Sequence, residues 1–93
     1  MIIAGIDYSL RGPAVCIHDS DAGDFSFGNC SFYFLTNTQK YATMFSTNIF
    51  GERFNQWNCE TERYETIADW ACDRVTGCTQ VALEGYAFAA KGN

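Results

Sequence analysis

The segment MIIAGID, residues 1–7, decides the fold prediction for this chain. Its apolar and β-branched residues predict a strand over Ile2–Asp7, and that strand ends in a carboxylate. Residues 8–13 (YSLRGP) follow with turn chemistry, because a Gly-Pro pair interrupts regular structure. A second short apolar run over residues 14–18 then predicts a β-hairpin.

A third strand is predicted within residues 30–36, where the run CSFYFL is rich in aromatic residues. It follows a polar loop at residues 19–23 (DSDAG). The aromatic residues of residues 37–58 are isolated and follow neither the helical nor the strand repeat. We expect a long irregular connection there that contains one short helix.

The clearest helix signal covers residues 60–75, with Asn58 as the predicted N-cap and Gly77 at the predicted C-terminal cap. Residues 80–84 (QVALE) follow as a buried strand, and a helix between two strands predicts parallel pairing. The apolar residues of the helix recur on one face, at Tyr64, Ile67, Ala68, Ala71, Cys72 and Val75.

Composition excludes several classes of protein. Six basic and eleven acidic residues give a net charge of −5, which argues against avid, non-specific coating of DNA but not against an acidic metal site. The apolar runs are too short to span a bilayer, and the N-terminus lacks the features of a secretory signal. The five cysteines show no short metal-type spacing and predict buried free thiols in a reducing cytosol.

Asp7 and Glu84 are the candidate metal ligands, because each is a carboxylate at the end of an apolar strand. On neighbouring parallel strands they would lie roughly 5 Å apart. Hard oxygen ligands at that separation suit Mg²⁺ or Mn²⁺. The alternative is that Asp7 begins a turn and Glu84 is a solvated charge at a strand end.

Two short motifs carry a resemblance to a known family. Residues 2–17 (IIAGIDYSLRGPAVCI) contain Gly5-Ile6-Asp7, and residues 81–92 (VALEGYAFAAKG) contain Ala82-Leu83-Glu84 followed by aromatic residues and a lysine. In this order, with a helix between them, the motifs resemble the RuvC-type Holliday junction resolvases. The RuvC-like nucleases of tailed phages are more similar still.

This resemblance implies a ribonuclease-H-like α/β fold, with three antiparallel strands, a helix and a parallel fourth strand. It also implies a Mg²⁺- or Mn²⁺-dependent endonuclease that hydrolyses phosphodiester bonds in branched DNA during recombination. Members are expected to act as homodimers, away from membranes, in the cytoplasm of a bacterial host if the protein is phage-encoded.

The family uses four acids, and Asp7 and Glu84 match the first two. The other two belong to a C-terminal helix and have no counterpart in the 93 residues. We therefore expect residues 1–93 to form a single, C-terminally truncated nuclease domain that is inactive by itself.

Four further residues are candidate DNA contacts. The resemblance implies that Tyr86 or Phe88 stacks on DNA, and Lys91 and Arg11 are candidates for contacts to phosphates. The alternatives are a core or covered position for Phe88 and ordinary solvated charges for Lys91 and Arg11.

Two other functions stay open at this point. One is a fragment of an actin-like or sugar-kinase-like ATPase, although Asp7 is followed by Tyr-Ser-Leu-Arg and lacks the glycine of that family's phosphate loop. The other is a non-catalytic binding or assembly module on a ribonuclease-H-like fold, which the acidic charge and the absent acid pair favour.

Overall fold

The computed structural model describes residues 1–8, 12–54 and 57–83. They form a mixed α/β fold with a six-stranded sheet and one α-helix. In chain order the elements are β1 (Ile2–Asp7), β2 (Ala14–Asp19), β3 (Cys30–Thr36), β4 (Met44–Ser46), β5 (Ile49–Arg53), α1 (Glu60–Val75) and β6 (Gln80–Leu83), with short 3-10 helices at Ser20–Ala22, Phe27–Asn29 and Gln39–Tyr41.

The sheet has the strand order β4-β5-β3-β2-β1-β6. β1 and β2 form the predicted antiparallel hairpin, in which Asp7 lies opposite Ala14. β2 and β3 are also antiparallel, whereas β6 runs parallel to β1. The predicted hairpin, third strand, helix and parallel final strand are therefore present. The prediction that the final strand is buried is wrong: β6 is exposed along its whole length, because it is the outermost strand of the sheet in the described part of the chain.

The segment between β3 and α1 differs from the prediction. A short helix is present at Gln39–Tyr41, but β4 and β5 were not predicted. β5 pairs in parallel with β3, and β4 pairs antiparallel with β5. These strands lack an alternating apolar pattern because β4 is exposed throughout and β5 is only partly buried, so the segment shows no period in the sequence.

Helix α1 packs on one face of the sheet and forms the core there. Of the predicted stripe, Ile67 and Ala71 are 1% and 4% exposed, and they pack with Trp70 against Ala4, Val15 and Leu35. Tyr64 and Cys72 were also predicted on the buried stripe, but both are exposed, Tyr64 by 45%. Tyr64 precedes the buried residues of α1 along the helix. The prediction of buried thiols is likewise wrong for Cys59 and Cys72, which are exposed.

The ends of α1 are set by local backbone chemistry. The N-cap is Cys59 and not the predicted Asn58, whose backbone N–H instead donates to Oε1 of Glu62 at 3.3 Å. Gly77 follows the C-cap residue Thr76 and has a φ of +90°. Only glycine adopts such a backbone conformation readily, which explains why the helix stops there.

An ion pair joins the helix to the added strand β5. Glu52 Oε1 accepts a hydrogen bond from Nη2 of Arg74 at 2.5 Å, and its Oε2 accepts one from Nε1 of Trp70 at 3.3 Å. The Arg74 guanidinium also lies over the ring of Tyr33. Because these groups belong to α1, β3 and β5, the contact ties the unpredicted strand to the predicted core.

Candidate metal site at the end of strand β1

Asp7 is the last residue of β1, a strand that lies between β2 and β6 inside the sheet. Side chains alternate along the strand, so Ala4 and Ile6 face helix α1 while Gly5 and Asp7 belong to the opposite face. The Asp7 side chain is exposed. Within the described residues it forms no hydrogen bond or ion pair, so its oxygens are accessible to water or a cation.

Strand β6 brings a second strand end beside that of β1. The parallel register pairs Ile3 with Gln80 and ends with Ile6 beside Leu83. Leu83 is the residue directly before Glu84 in the sequence. The predicted parallel pairing of the two strands is confirmed, while Glu84 lies outside the described residues.

The sheet face opposite α1, which we call the open face, has a shallow apolar groove beside Asp7. Its floor contains the small residues Gly5, Ala14 and Ala82, and Phe32 and Phe34 line it on the side of β3. Sequence inspection missed this groove because its lining comes from four different strands. The unbroken apolar runs of β2 and β3, residues 14–17 and 32–35, were the available signal that both faces of the sheet carry apolar side chains.

Tyr8 anchors the end of β1 on the other side of the sheet. Its ring packs against the core, and its hydroxyl donates to the backbone carbonyl of Tyr64 at 3.4 Å. Burial, and then the nearby Cys72 and Asp69, raise the pKa of the Tyr8 hydroxyl above its usual value of 10.0. The Tyr8 hydroxyl is therefore protonated at neutral pH and can donate its hydrogen bond.

The donor chemistry of Asp7 fits a hard divalent cation, since Mg²⁺ is commonly held by one or two carboxylates and several waters. Residues 1–8, 12–54 and 57–83 contain no group of three or more histidine, cysteine, aspartate or glutamate side chains that could hold a metal ion. In this part of the chain the candidate site is therefore a single carboxylate.

The remaining predicted site residues lie outside the described residues. These are the metal ligand Glu84 and the candidate DNA contacts Tyr86, Phe88, Lys91 and Arg11. Within the described part, His18 has a structural place: its Nε2 donates to the Gly23 carbonyl at 3.0 Å, and its ring meets Phe25 edge to face.

Comparison with known proteins adds no relative. The chain matches no family model, no curated protein and no solved structure. None of the helices in the described ranges is long and apolar enough to cross a membrane.

Proposed function

We propose that this chain belongs to a metal-dependent endodeoxyribonuclease with a ribonuclease-H-like fold that cleaves branched DNA such as Holliday junctions. Asp7 and Glu84 are its proposed metal ligands. The observation that carries the proposal is the parallel pairing of β1 and β6, which within the described residues extends as far as Ile6 and Leu83, the two residues directly before these acids. In open α/β sheets, ligands gather at the carboxyl ends of such strands.

The arrangement of the sheet supports the proposed fold. Three consecutive antiparallel strands, a helix on one face and a strand parallel to the first are the features that the resemblance implies. The unpredicted β4 and β5 extend the sheet beyond β3, at the edge away from β6. They lengthen the sheet, and β1 still lies between β2 and β6.

The side chain of Asp7 would hold a Mg²⁺ or Mn²⁺ ion through its carboxylate oxygens, with Glu84 as the second ligand. A bound divalent ion supplies an activated water and stabilises the charge that develops on the leaving oxygen. Tyr8 contributes from the opposite face by fixing the end of β1 against α1. The DNA contacts of Tyr86, Phe88, Lys91 and Arg11, and a homodimeric assembly, are parts of the same proposal.

Two carboxylates are enough to hold one hydrated cation but are a poor site for the second ion of an in-line displacement. The two further acids of the family have no counterpart in the 93 residues. We therefore propose that this chain by itself binds the ion weakly and does not cleave DNA.

Titration of the chain with Mn²⁺, followed by isothermal calorimetry or by the electron paramagnetic resonance of free Mn²⁺, tests the site. We expect Asp7→Asn and Glu84→Gln each to weaken binding by about tenfold or more, equivalent to about 1.4 kcal/mol. Asp73→Asn is the matched control because it removes one negative charge from the exposed surface of α1.

Equal weakening by all three substitutions would indicate a general effect of net charge and would contradict the site. Unchanged Mn²⁺ binding in Asp7→Asn would show that Asp7 is not a ligand of the metal ion. A wild-type chain that binds no Mn²⁺ would favour a non-catalytic module on the same fold.

A further inference from the structure

Three aromatic rings lie together on the open face, on the side of the unpredicted strands. The ring centroids of Phe34 on β3 and Phe45 on β4 are 5.7 Å apart, and those of Phe45 and Tyr41 are 6.2 Å apart. We call these three residues the aromatic patch. Phe45 is 49% and Tyr41 43% exposed. Almost half of each outer side chain is therefore open to a ligand.

The charges around the aromatic patch differ from those of the whole chain. Residues 25–51, which contain the patch, include no acidic residue, although the chain has eleven and a net charge of −5. Nζ of the exposed Lys40 lies 5.5 Å from the centroid of the Tyr41 ring. Arg53 is exposed on the open face, because side chains alternate along β5 and Glu52 before it contacts α1. The patch is therefore bordered by two cations and is free of carboxylates.

The aromatic patch lies in line with Asp7 across the sheet. Asp7 pairs with Ala14, and Ala14 pairs with Phe34. Phe34 pairs in turn with Gly51, and the Tyr41 carbonyl lies against that glycine. Three strand spacings therefore separate Asp7 from the far end of the patch, which is roughly 14 Å. A DNA strand with a rise of roughly 3.4 Å per nucleotide covers this distance in about four nucleotides.

We propose that the aromatic patch binds unpaired nucleotides of the branched DNA substrate, with bases stacked on Phe45 and Tyr41 and phosphates contacted by Lys40 and Arg53. Exposed rings beside cations are the combination by which proteins hold single strands without reading their sequence. The choice of DNA as the nucleic acid rests on the proposed function. Because only two cations contribute, the binding is weak and depends on low salt, which agrees with the acidic net charge.

Fluorescence anisotropy of a labelled oligothymidylate, measured at low salt in EDTA, tests the aromatic patch without any metal ion. We expect Phe45→Leu and Tyr41→Leu each to weaken binding about fivefold or more, because leucine keeps an apolar side chain but cannot stack on a base. Tyr64→Leu is the matched control, since Tyr64 is 45% exposed but belongs to α1 on the other face of the sheet. It should bind like the wild type.

Two further measurements separate stacking from a loss of structure or of charge. Phe45→Trp should retain binding, and circular dichroism checks that each variant is folded. The logarithm of the association constant should fall against the logarithm of the salt concentration with a slope of about −1.4, which is about 0.7 for each of two phosphate contacts. Lys40→Gln should halve this slope, whereas Arg63→Gln, which removes a cation from α1, should not change it.

The proposal is overturned if the chain does not bind the oligothymidylate at low salt, or if Tyr64→Leu weakens binding as much as Phe45→Leu. Equally tight binding of a duplex of the same length would also overturn it, because paired bases are not free to stack on the rings. Sedimentation that shows a dimer lost in Phe45→Leu would assign the patch to a second copy of the chain instead. A chain that binds the oligothymidylate but no Mn²⁺ would support the patch and contradict the metal site, so the two failures are distinguishable.

Discussion

Ile6 lies beside Leu83 in the parallel register of β1 and β6, the final pair that the described residues contain. Each is followed in the sequence by an acid, Asp7 after Ile6 and Glu84 after Leu83. The pair shows that the carboxyl ends of two neighbouring strands meet at one edge of the sheet. That edge is where an open α/β sheet presents its ligand-binding side chains.

The first prediction is that the 93-residue chain leaves a four-way DNA junction uncut in the presence of Mg²⁺. Two carboxylates lack the second ion that clamps the leaving oxygen. Gel electrophoresis of an end-labelled junction measures the outcome. Cleavage by the wild-type chain that is lost in Asp7→Asn would support the proposed site, but it would show that the site does not need four acids to cut DNA. Cleavage that persists in Asp7→Asn would show that the site lies elsewhere.

Ile67→Asp should unfold the domain. Ile67 is 1% exposed between α1 and the sheet, so the substitution buries a charge among apolar side chains. A domain of this size has only about 5–15 kcal/mol of stability to lose. Thermal unfolding followed by circular dichroism measures the effect. Thr61→Asp is the control, because Thr61 is exposed in the first turn of α1, where an added acid favours the helix. A cooperative transition at the wild-type temperature in Ile67→Asp would contradict the packing of α1.

Glu52→Gln should destabilise the fold by about 1–2 kcal/mol, because it removes the charged partner of Arg74. Nε of Arg74 is buried and has no hydrogen-bond partner among the described residues, so loss of Glu52 leaves the guanidinium with fewer hydrogen bonds still. Glu60→Gln is the control, since Glu60 pairs with Arg63 at the surface and its loss should cost less than about 1 kcal/mol. Chemical denaturation of both variants measures the difference. Equal costs would mean that the pair between β5 and α1 contributes no more than a surface contact.

The free energy of unfolding should fall as the pH rises from about 9 to about 11. The pKa of Cys16 is 9.0 in its ordinary state and about 11 in the folded protein, so the unfolded chain loses its proton first and is favoured in this range. Below pH 9 the thiol is neutral in both states and the contribution is constant. Tyr8, whose pKa is also raised, adds to the slope above pH 10.

Denaturant titrations across this pH range, with a reducing agent present, test the assignment. Cys16→Ser should flatten the slope, whereas Cys59→Ser, at an exposed position, should leave it unchanged. A slope that is the same in all three proteins would show that Cys16 does not cause it.

The sequence by itself determined the elements whose signal is contiguous. Apolar side chains that recur every three or four residues predict α1 over Glu60–Val75, and the apolar runs around Asp7 and before Glu84 predict β1 and β6. A parallel final strand also follows from the sequence, because a helix between two strands needs a crossover, whereas its place beside β1 was an assumption of the metal-site prediction. Asp7 was correctly predicted as the last residue of β1.

Only the tertiary structure decided the contacts between distant segments. The parallel pairing of β5 with β3 depends on Gly51, where a β-carbon would collide with the Tyr41 carbonyl and lie 2.7 Å from Cζ of Phe34. The Glu52–Arg74 ion pair depends in the same way on which strands are neighbours. Sequence periodicity reports which face of an element is apolar, whereas the register and neighbours of a strand are chosen by the packing of the whole domain, and no contiguous pattern records that choice.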